Sequence, residues 1–305
     1  MNNFQQYYPV RVLFNNVSKL FETICGHEDI RHNIKRGLYH KIRVFDTSGP
    51  ITNIAGINHR FLETNKKVSE IEVSESYCQF LWCLCYTMVI FIDEYILRPR
   101  HKIVAPLNEK RVDIACEVFN IGMKLFEDNI PYKDFYTIPN ACDINVDDVC
   151  TSNHIYKYAL CYIIFHEYAH FELGHLEKTS YHLDDEYDAD SYAFFNMCNI
   201  TYSNQDKMSK YLGCIVGLGS LFFAENTLEG DLYHPDNDDR LNKLIDLMRN
   251  QDITSIEQCY HWAVALYKVW LLYYELECPD IIIQKNCSID EYYNEFYKSF
   301  KFKRQ

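Results

Sequence analysis

Apolar residues recur every three to four positions over most of the chain, and that spacing predicts a protein built mainly of helices. After Pro9, the residues Val10, Leu13, Val17, Leu20 and Phe21 fall on one helical face. Ser76–Leu97 is apolar almost throughout, as expected of a helix buried on every side, and Asn108–Asp128 is amphipathic. Helical spacing returns over Glu186–Cys198, Lys207–Ala224, Asp236–Asn250, Ile256–Tyr274 and Ile289–Phe300. Between Lys41 and Ser76 the texture changes. Lys41–Phe45 and Lys67–Val73 alternate or favour β-branched residues, with Gly49-Pro50 and Gly56 as punctuation, so two or three strands of a small sheet are expected. Asn129–Asp148, rich in Asp, Asn and Pro, reads as a loop leading into a helix capped at Ser152 or Asn153. The expected fold class is α+β, predominantly helical, with its small sheet near the N-terminal third. One domain is expected over 1–305: an N-terminal helix and sheet over 1–75, a helical core over 76–250 and C-terminal helices over 251–305.

Composition narrows the function classes. With 48% hydrophobic and 24% charged residues the chain is that of a folded protein rather than a disordered one. A net charge of −13 argues against a nucleic-acid partner and against an anionic membrane surface. The 13 cysteines include no Cys-x-x-Cys pair, and the first residues lack the charged-then-apolar pattern of a secretory signal. Together these point to a reducing, cytoplasmic setting. The apolar runs Phe80–Ile92, Tyr211–Ala224 and Trp262–Tyr274 are each too short for a bilayer span, so no membrane role is expected.

The chemistry concentrates in His166-Glu167-Tyr168-Ala169-His170, inside a stretch with apolar residues at Leu160, Ile163, Ile164 and Phe171. On a helix, residues four apart stand one above the other, so His166 and His170 project side by side. Two neutral imidazoles there make two corners of a tetrahedral Zn2+ site, and Glu167 sits where a general base is needed. Two buried histidines and a glutamate would be costly without such partners.

A catalytic zinc wants a third protein ligand and an open position. His175 lies nine residues after His166, about half a turn round a continuing helix, and is expected to point away as a helix-end histidine. The stronger candidate is Glu186, in Asp184-Asp-Glu-Tyr-Asp-Ala-Asp190. Asp190 shares its helix face and could accept the second ring N–H of a ligand histidine. Asp184, Asp185 and Asp188 compete with Glu186, and the bland alternative is an acidic first helical turn that complements the dipole. Downstream, His234 precedes Pro235. It could donate to the oxyanion of an attacked carbonyl, or be a loop histidine before a helix beginning at Pro235.

The order His166-Glu-x-x-His170, Glu186-x-x-Ala-Asp190-Ser and His234-Pro-x-x-x-x-Arg240 resembles the Lit-type phage-exclusion zinc peptidases, of the gluzincin kind. The texture of the strand region and of the Ser76–Tyr95 helix is similar too, so the resemblance covers roughly 60–245. Membrane-bound prenyl-protein-protease-like metallopeptidases share the three-part order, but no span is expected here. The resemblance implies a zincin-like metallopeptidase core and a cytosolic zinc endopeptidase acting on a protein substrate. In that family the substrate is translation elongation factor Tu, cleaved during phage infection, and the resemblance further implies a trigger, a phage-derived activator presenting the substrate. Nothing in the sequence itself reads elongation factor Tu.

On this reading Zn2+ is held by His166, His170 and Glu186, Glu167 removes a proton from the attacking water, and His234 shares the oxyanion. Arg240 either braces the His234 loop or an acidic residue of the site, or makes an ordinary surface ion pair. A strand from 41–76 could pair with extended substrate. Two alternatives are weighed against it. A peptide deformylase would need a cysteine ligand in a Gly-rich context, which Cys116 and Cys150 lack. A catalytically inactive, metal-stabilised binding or sensor protein would have no use for Glu167.

Overall fold

The computed structural model describes residues 10–25, 38–45, 55–61, 67–98, 107–127, 146–178, 180, 182–199, 203–224, 228–232, 234–251, 256–279 and 287–304. Helix α1, Val10–Cys25, buries Val10, Leu13, Val17 and Phe21 along one stripe, as its spacing requires. Three strands follow: β1, Leu38–Phe45; β2, Ala55–Phe61; and β3, Lys67–Ser74. They form one sheet in the order β1-β3-β2, with β3 parallel to β1 and antiparallel to β2. Gly56, expected to punctuate the strands, instead lies inside β2, paired opposite Glu72. An outer strand must satisfy a neighbour on one side only, so the weak strand propensity of Gly is tolerated there.

Ser74 ends β3 and caps α2, Glu75–Ile92, its side chain accepting from the Tyr77 N–H. A π-helical turn, Asp93–Leu97, extends this helix. The helical run Glu75–Leu97 is therefore 23 residues, long and apolar enough by length and composition to cross a membrane, unlike the shorter apolar run legible in the sequence. Most of it is buried inside the protein. It packs on α3, Glu109–Glu127, through Phe80, Phe119 and Phe126, and on α4, Val146–Glu172.

Helix α4 is the axis of the fold. Its 27 residues span about 40 Å. Around it pack α1, α2, β2, β3, α5 (Leu183–Asn199) and α6 (Asn204–Gly219). It begins at Val146, nearly two turns before the expected cap. The acidic first turn, Asp147 and Asp148, complements the helix dipole, and Arg111 of α3 grips Asp148 through Nε at 2.9 Å and Nη2 at 2.5 Å. Ser152 and Asn153 thus sit within the helix, where Ser152 bonds back to the Asp148 carbonyl and Asn153 accepts from the Trp82 indole N–H at 2.7 Å. The rest of the expected loop before α4, residues 129–145, lies outside the described residues.

Helix α6 approaches α4 closely because it presents glycines. A β-carbon on Gly213 would lie 2.4 Å from Tyr158 Cβ, and one on Gly217 would lie 2.9 Å from the Ala159 carbonyl oxygen. The expected Lys207–Ala224 helix breaks at Ser220, whose hydroxyl meets the Tyr77 hydroxyl at 2.7 Å, and a short helix, α7, Leu221–Ala224, follows. The remaining helices are α8, Asn237–Gln251; α9, Ile256–Tyr273; and α10, Ile289–Arg304. Tyr267 of α9 and Phe300 of α10 pack at a tilt, with ring centroids 4.7 Å apart.

Candidate metal centre

Two turns of α4 and the first turns of α5 make the site. The i,i+4 spacing puts His166 and His170 on one face of α4, both buried. Helix α5 lays Ala189, Ala193, Phe194 and Met197 into the core, which turns Glu186 and Asp190 inward with them. Asp184 and Asp188 face solvent, so two of the three competitors of Glu186 are separated from the site by orientation.

The donors of the three residues close on one another, with Glu186 facing each histidine through a different carboxylate oxygen. His166 Nε2 lies 3.2 Å from His170 Nε2 and 3.2 Å from Glu186 Oε2, and His170 Nε2 lies 3.4 Å from Glu186 Oε1. Around a zinc ion with bonds of about 2.0–2.1 Å, the edges of a tetrahedron are about 3.3–3.4 Å long. Two imidazoles and one carboxylate at that spacing fit a tetrahedral metal ion with one position left open, and these residues could hold one.

Behind the triangle stands a buried ionic group. Asp190 Oδ1 is 3.0 Å from His166 Nδ1 and accepts from the Tyr162 hydroxyl at 3.0 Å. Arg240, from the first turn of α8, closes on the same carboxylate through Nε at 2.8 Å and Nη2 at 2.9 Å, and Nη2 also lies 3.1 Å from Glu186 Oε2. Arg240 therefore braces the acidic residues of the site and is no surface ion pair. Burial alone would push both carboxyls up; His166 and Arg240 outweigh it and hold Glu186 and Asp190 well below the usual carboxylate range. Burial opposes the charged form of His166, yet Glu186 and Asp190 prevail and raise its pKa to about 10 in the metal-free protein.

Glu167, one residue beyond His166, is half-buried and within electrostatic reach of Tyr77. His234 lies apart from the buried group in its exposure: its side chain is 46% exposed and its Nδ1 sits 3.1 Å from Asp231 Oδ1. The His234 carbonyl accepts from the Asp231 N–H and Asp236 accepts from the Gly230 N–H, so the loop ahead of α8 is tied to itself.

Two buried residues of the site were not legible as such. His175 does not continue α4. The helix ends at Glu172, Gly174 adopts a left-handed φ of 72°, and a 3₁₀ turn, His175–Glu177, folds His175 back under the helix. Its Nδ1 stands 3.0 Å from His170 Nδ1 and its Nε2 stands 3.6 Å from Asp185 Oδ1. Asp185 also receives Lys178 Nζ and the His182 N–H. The signal was Gly174 itself, a helix terminator immediately before the histidine. A second acidic group, Asp236, Asp238 and Asp239, is occupied by Lys301, whose Nζ lies 2.7–3.5 Å from all three carboxylates.

Residues 71–275, about two-thirds of the chain and the whole of this site, match the family model described as Peptidase U49. No curated protein and no solved structure gives a significant match.

Proposed function

The chain belongs to the Peptidase U49 family, and from that premise we propose that it is a zinc-dependent endopeptidase with a zincin-like core, acting on a protein substrate. The observation that carries this reading is the triangle of His166, His170 and Glu186 at 3.2–3.4 Å, with Glu167 beside it on the same helix. A zinc ion held by those residues would supply Lewis acidity, bringing the pKa of a water towards about 7 and polarising the scissile carbonyl. Glu167 accepts the proton of the attacking water and delivers it to the departing amine. Asp190, whose Oδ1 lies 3.0 Å from His166 Nδ1, is the proposed acceptor for that ring N–H and so keeps the Nε2 lone pair directed into the triangle. Arg240 fixes Asp190 and Glu186 together. His234, its ring oriented by Asp231, is the proposed donor to the oxyanion. The outer strand β2, packed beside α4, is the proposed backbone ladder for an extended substrate.

The resemblance to the Lit-type peptidases extends the proposal to a cytoplasmic enzyme of phage defence, with elongation factor Tu as the first substrate to test and a phage-derived activator as the trigger. The test is metal content by elemental analysis beside a proteome-wide search for cleaved fragments, in wild type, Glu186→Ala and Glu167→Gln. About one zinc per chain is expected in wild type and Glu167→Gln and none in Glu186→Ala, with fragments from wild type alone. Zinc retained by Glu186→Ala would unseat that ligand. A Glu167→Gln protein with the full cellular effect of wild type would favour a metal-stabilised binding or sensor protein instead.

A further inference from the structure

We infer that His175 is a positioning residue for His170: it accepts the Nδ1 proton of that ring and so aims the Nε2 lone pair into the metal triangle. The inference rests on the metal-centre reading and assigns a support to the second ligand histidine. Two ring nitrogens 3.0 Å apart share one proton. If His170 offers Nε2 to a metal, its proton is on Nδ1, and His175 Nδ1 must then be the acceptor. The proton of His175 is in turn on Nε2, which faces Asp185 Oδ1 at 3.6 Å. Asp185 is anchored by Lys178 Nζ and by the His182 N–H, so the same tautomer turns the His175 N–H towards a fixed negative charge.

The local backbone serves this arrangement. His175 and Asp185 are both buried, 4% and 2% exposed, and the left-handed Gly174 is what returns the ring to His170. With both ring nitrogens directed at His170 and Asp185, His175 supports the triangle from behind and is not a fourth member of it. The two ligand histidines are consequently held by different chemistry. His166 leans on a carboxylate clamped by Arg240, and His170 leans on a second imidazole.

The experiment measures zinc affinity by competition with a chromophoric chelator, and the visible spectrum of the cobalt-loaded protein, in wild type, His175→Ala, His175→Asn and Asp185→Asn. Asparagine places its carbonyl oxygen where Nδ1 stood, so it keeps the acceptor. His175→Ala is expected to bind zinc roughly 10–100-fold more weakly and to alter the cobalt spectrum. His175→Asn is expected to recover most of the affinity and the spectrum, and Asp185→Asn to fall between. Wild-type affinity and spectrum in His175→Ala would overturn the inference while leaving the metal centre standing, provided Glu186→Ala still loses zinc. A folded His175→Asn as weak as His175→Ala would overturn it too, since shape rather than the acceptor would then matter. A wild type that takes up no zinc would overturn the metal centre and this support together.

Discussion

Arg240→Ala should cost far more stability than any exposed ion pair, and the size follows from the contacts. The guanidinium is 3% exposed and makes two bonds to Asp190 and a third contact to Glu186. Truncation leaves two carboxylates buried with one cation removed, and breaking such a group from one side costs roughly 3–5 kcal/mol. Unfolding 305 residues carries an entropy of about 0.64 kcal/mol/K, at about 2.1 cal/mol/K per residue. The melting midpoint of metal-free Arg240→Ala should therefore fall by about 5–8 °C. Arg240→Lys keeps the charge but cannot make the fork, so it should recover only part of the loss. The control is Lys298→Ala, which removes an exposed pair to Glu295 worth about 0–1 kcal/mol and should shift the midpoint by less than about 2 °C. A zinc ion held as proposed would place a positive charge beside Glu186, so the loaded variant should lose less than the metal-free one. The assay is scanning calorimetry of each protein with and without zinc. A metal-free Arg240→Ala that melts within about 2 °C of wild type would refute the reasoning, because the group would then not depend on its cation.

Three further outcomes are expected. Stability of the metal-free protein should peak between about pH 4.5 and 6.5 in denaturant titrations. Glu186 and Asp190 are depressed in the fold, so their contribution is lost as pH falls below the unfolded carboxylate range; His166 is raised to about 10, so its contribution is complete below about 6.5 and is lost as pH rises towards 10. A flat profile from pH 6 to 10 would contradict it. Gly213→Ala should destabilise by roughly 1–3 kcal/mol in the same titrations, since the new methyl meets Tyr158 Cβ at 2.4 Å and the Tyr158 and Ala159 backbone at 2.9–3.0 Å; an unchanged midpoint would mean that α6 can move off α4. Lys301→Ala should lower stability and loosen α10 in hydrogen exchange, because three carboxylates at the start of α8 lose a shared cation, and unchanged protection of α10 would count against that latch.

Helices were legible where the apolar stripe was strong, and their ends were not. The stripe of α1 and the all-round burial of α2 follow from spacing alone. The start of α4 does not. Val146-Asp-Asp-Val149 has the composition of a loop, and what makes it helix is Arg111, 37 residues earlier, gripping Asp148 across the fold. Strand β2 was hidden for a related reason. Gly56 argues against a strand there, and the pairing with β3 that overrides it is a tertiary fact. The residue at the break, Ser220, meets the hydroxyl of Tyr77, 143 positions away, a contact that spacing does not display.

The same distinction divides the site. His166, Glu167 and His170 stand within five residues of one helix, and Glu186 with Asp190 within five of another, so helical geometry alone displays each set. What joins the sets is not local. Asp190 could be seen as a support, but that it serves His166, and that Arg240 and Tyr162 complete it, depends on how α4, α5 and α8 meet. His175 shows the sharper limit. Helical arithmetic on a continuing helix turns it half a turn from His166, and the arithmetic is sound; the helix simply ends three residues earlier, at Glu172, and Gly174 turns the chain. The turn that removes His175 from the ligand face is the turn that places it against His170. Ligands of a helix-borne site are thus written in short-range spacing, while the groups that orient them are written in helix ends and long-range packing. A search by motif alone finds the first and passes over the second, although both set the metal affinity.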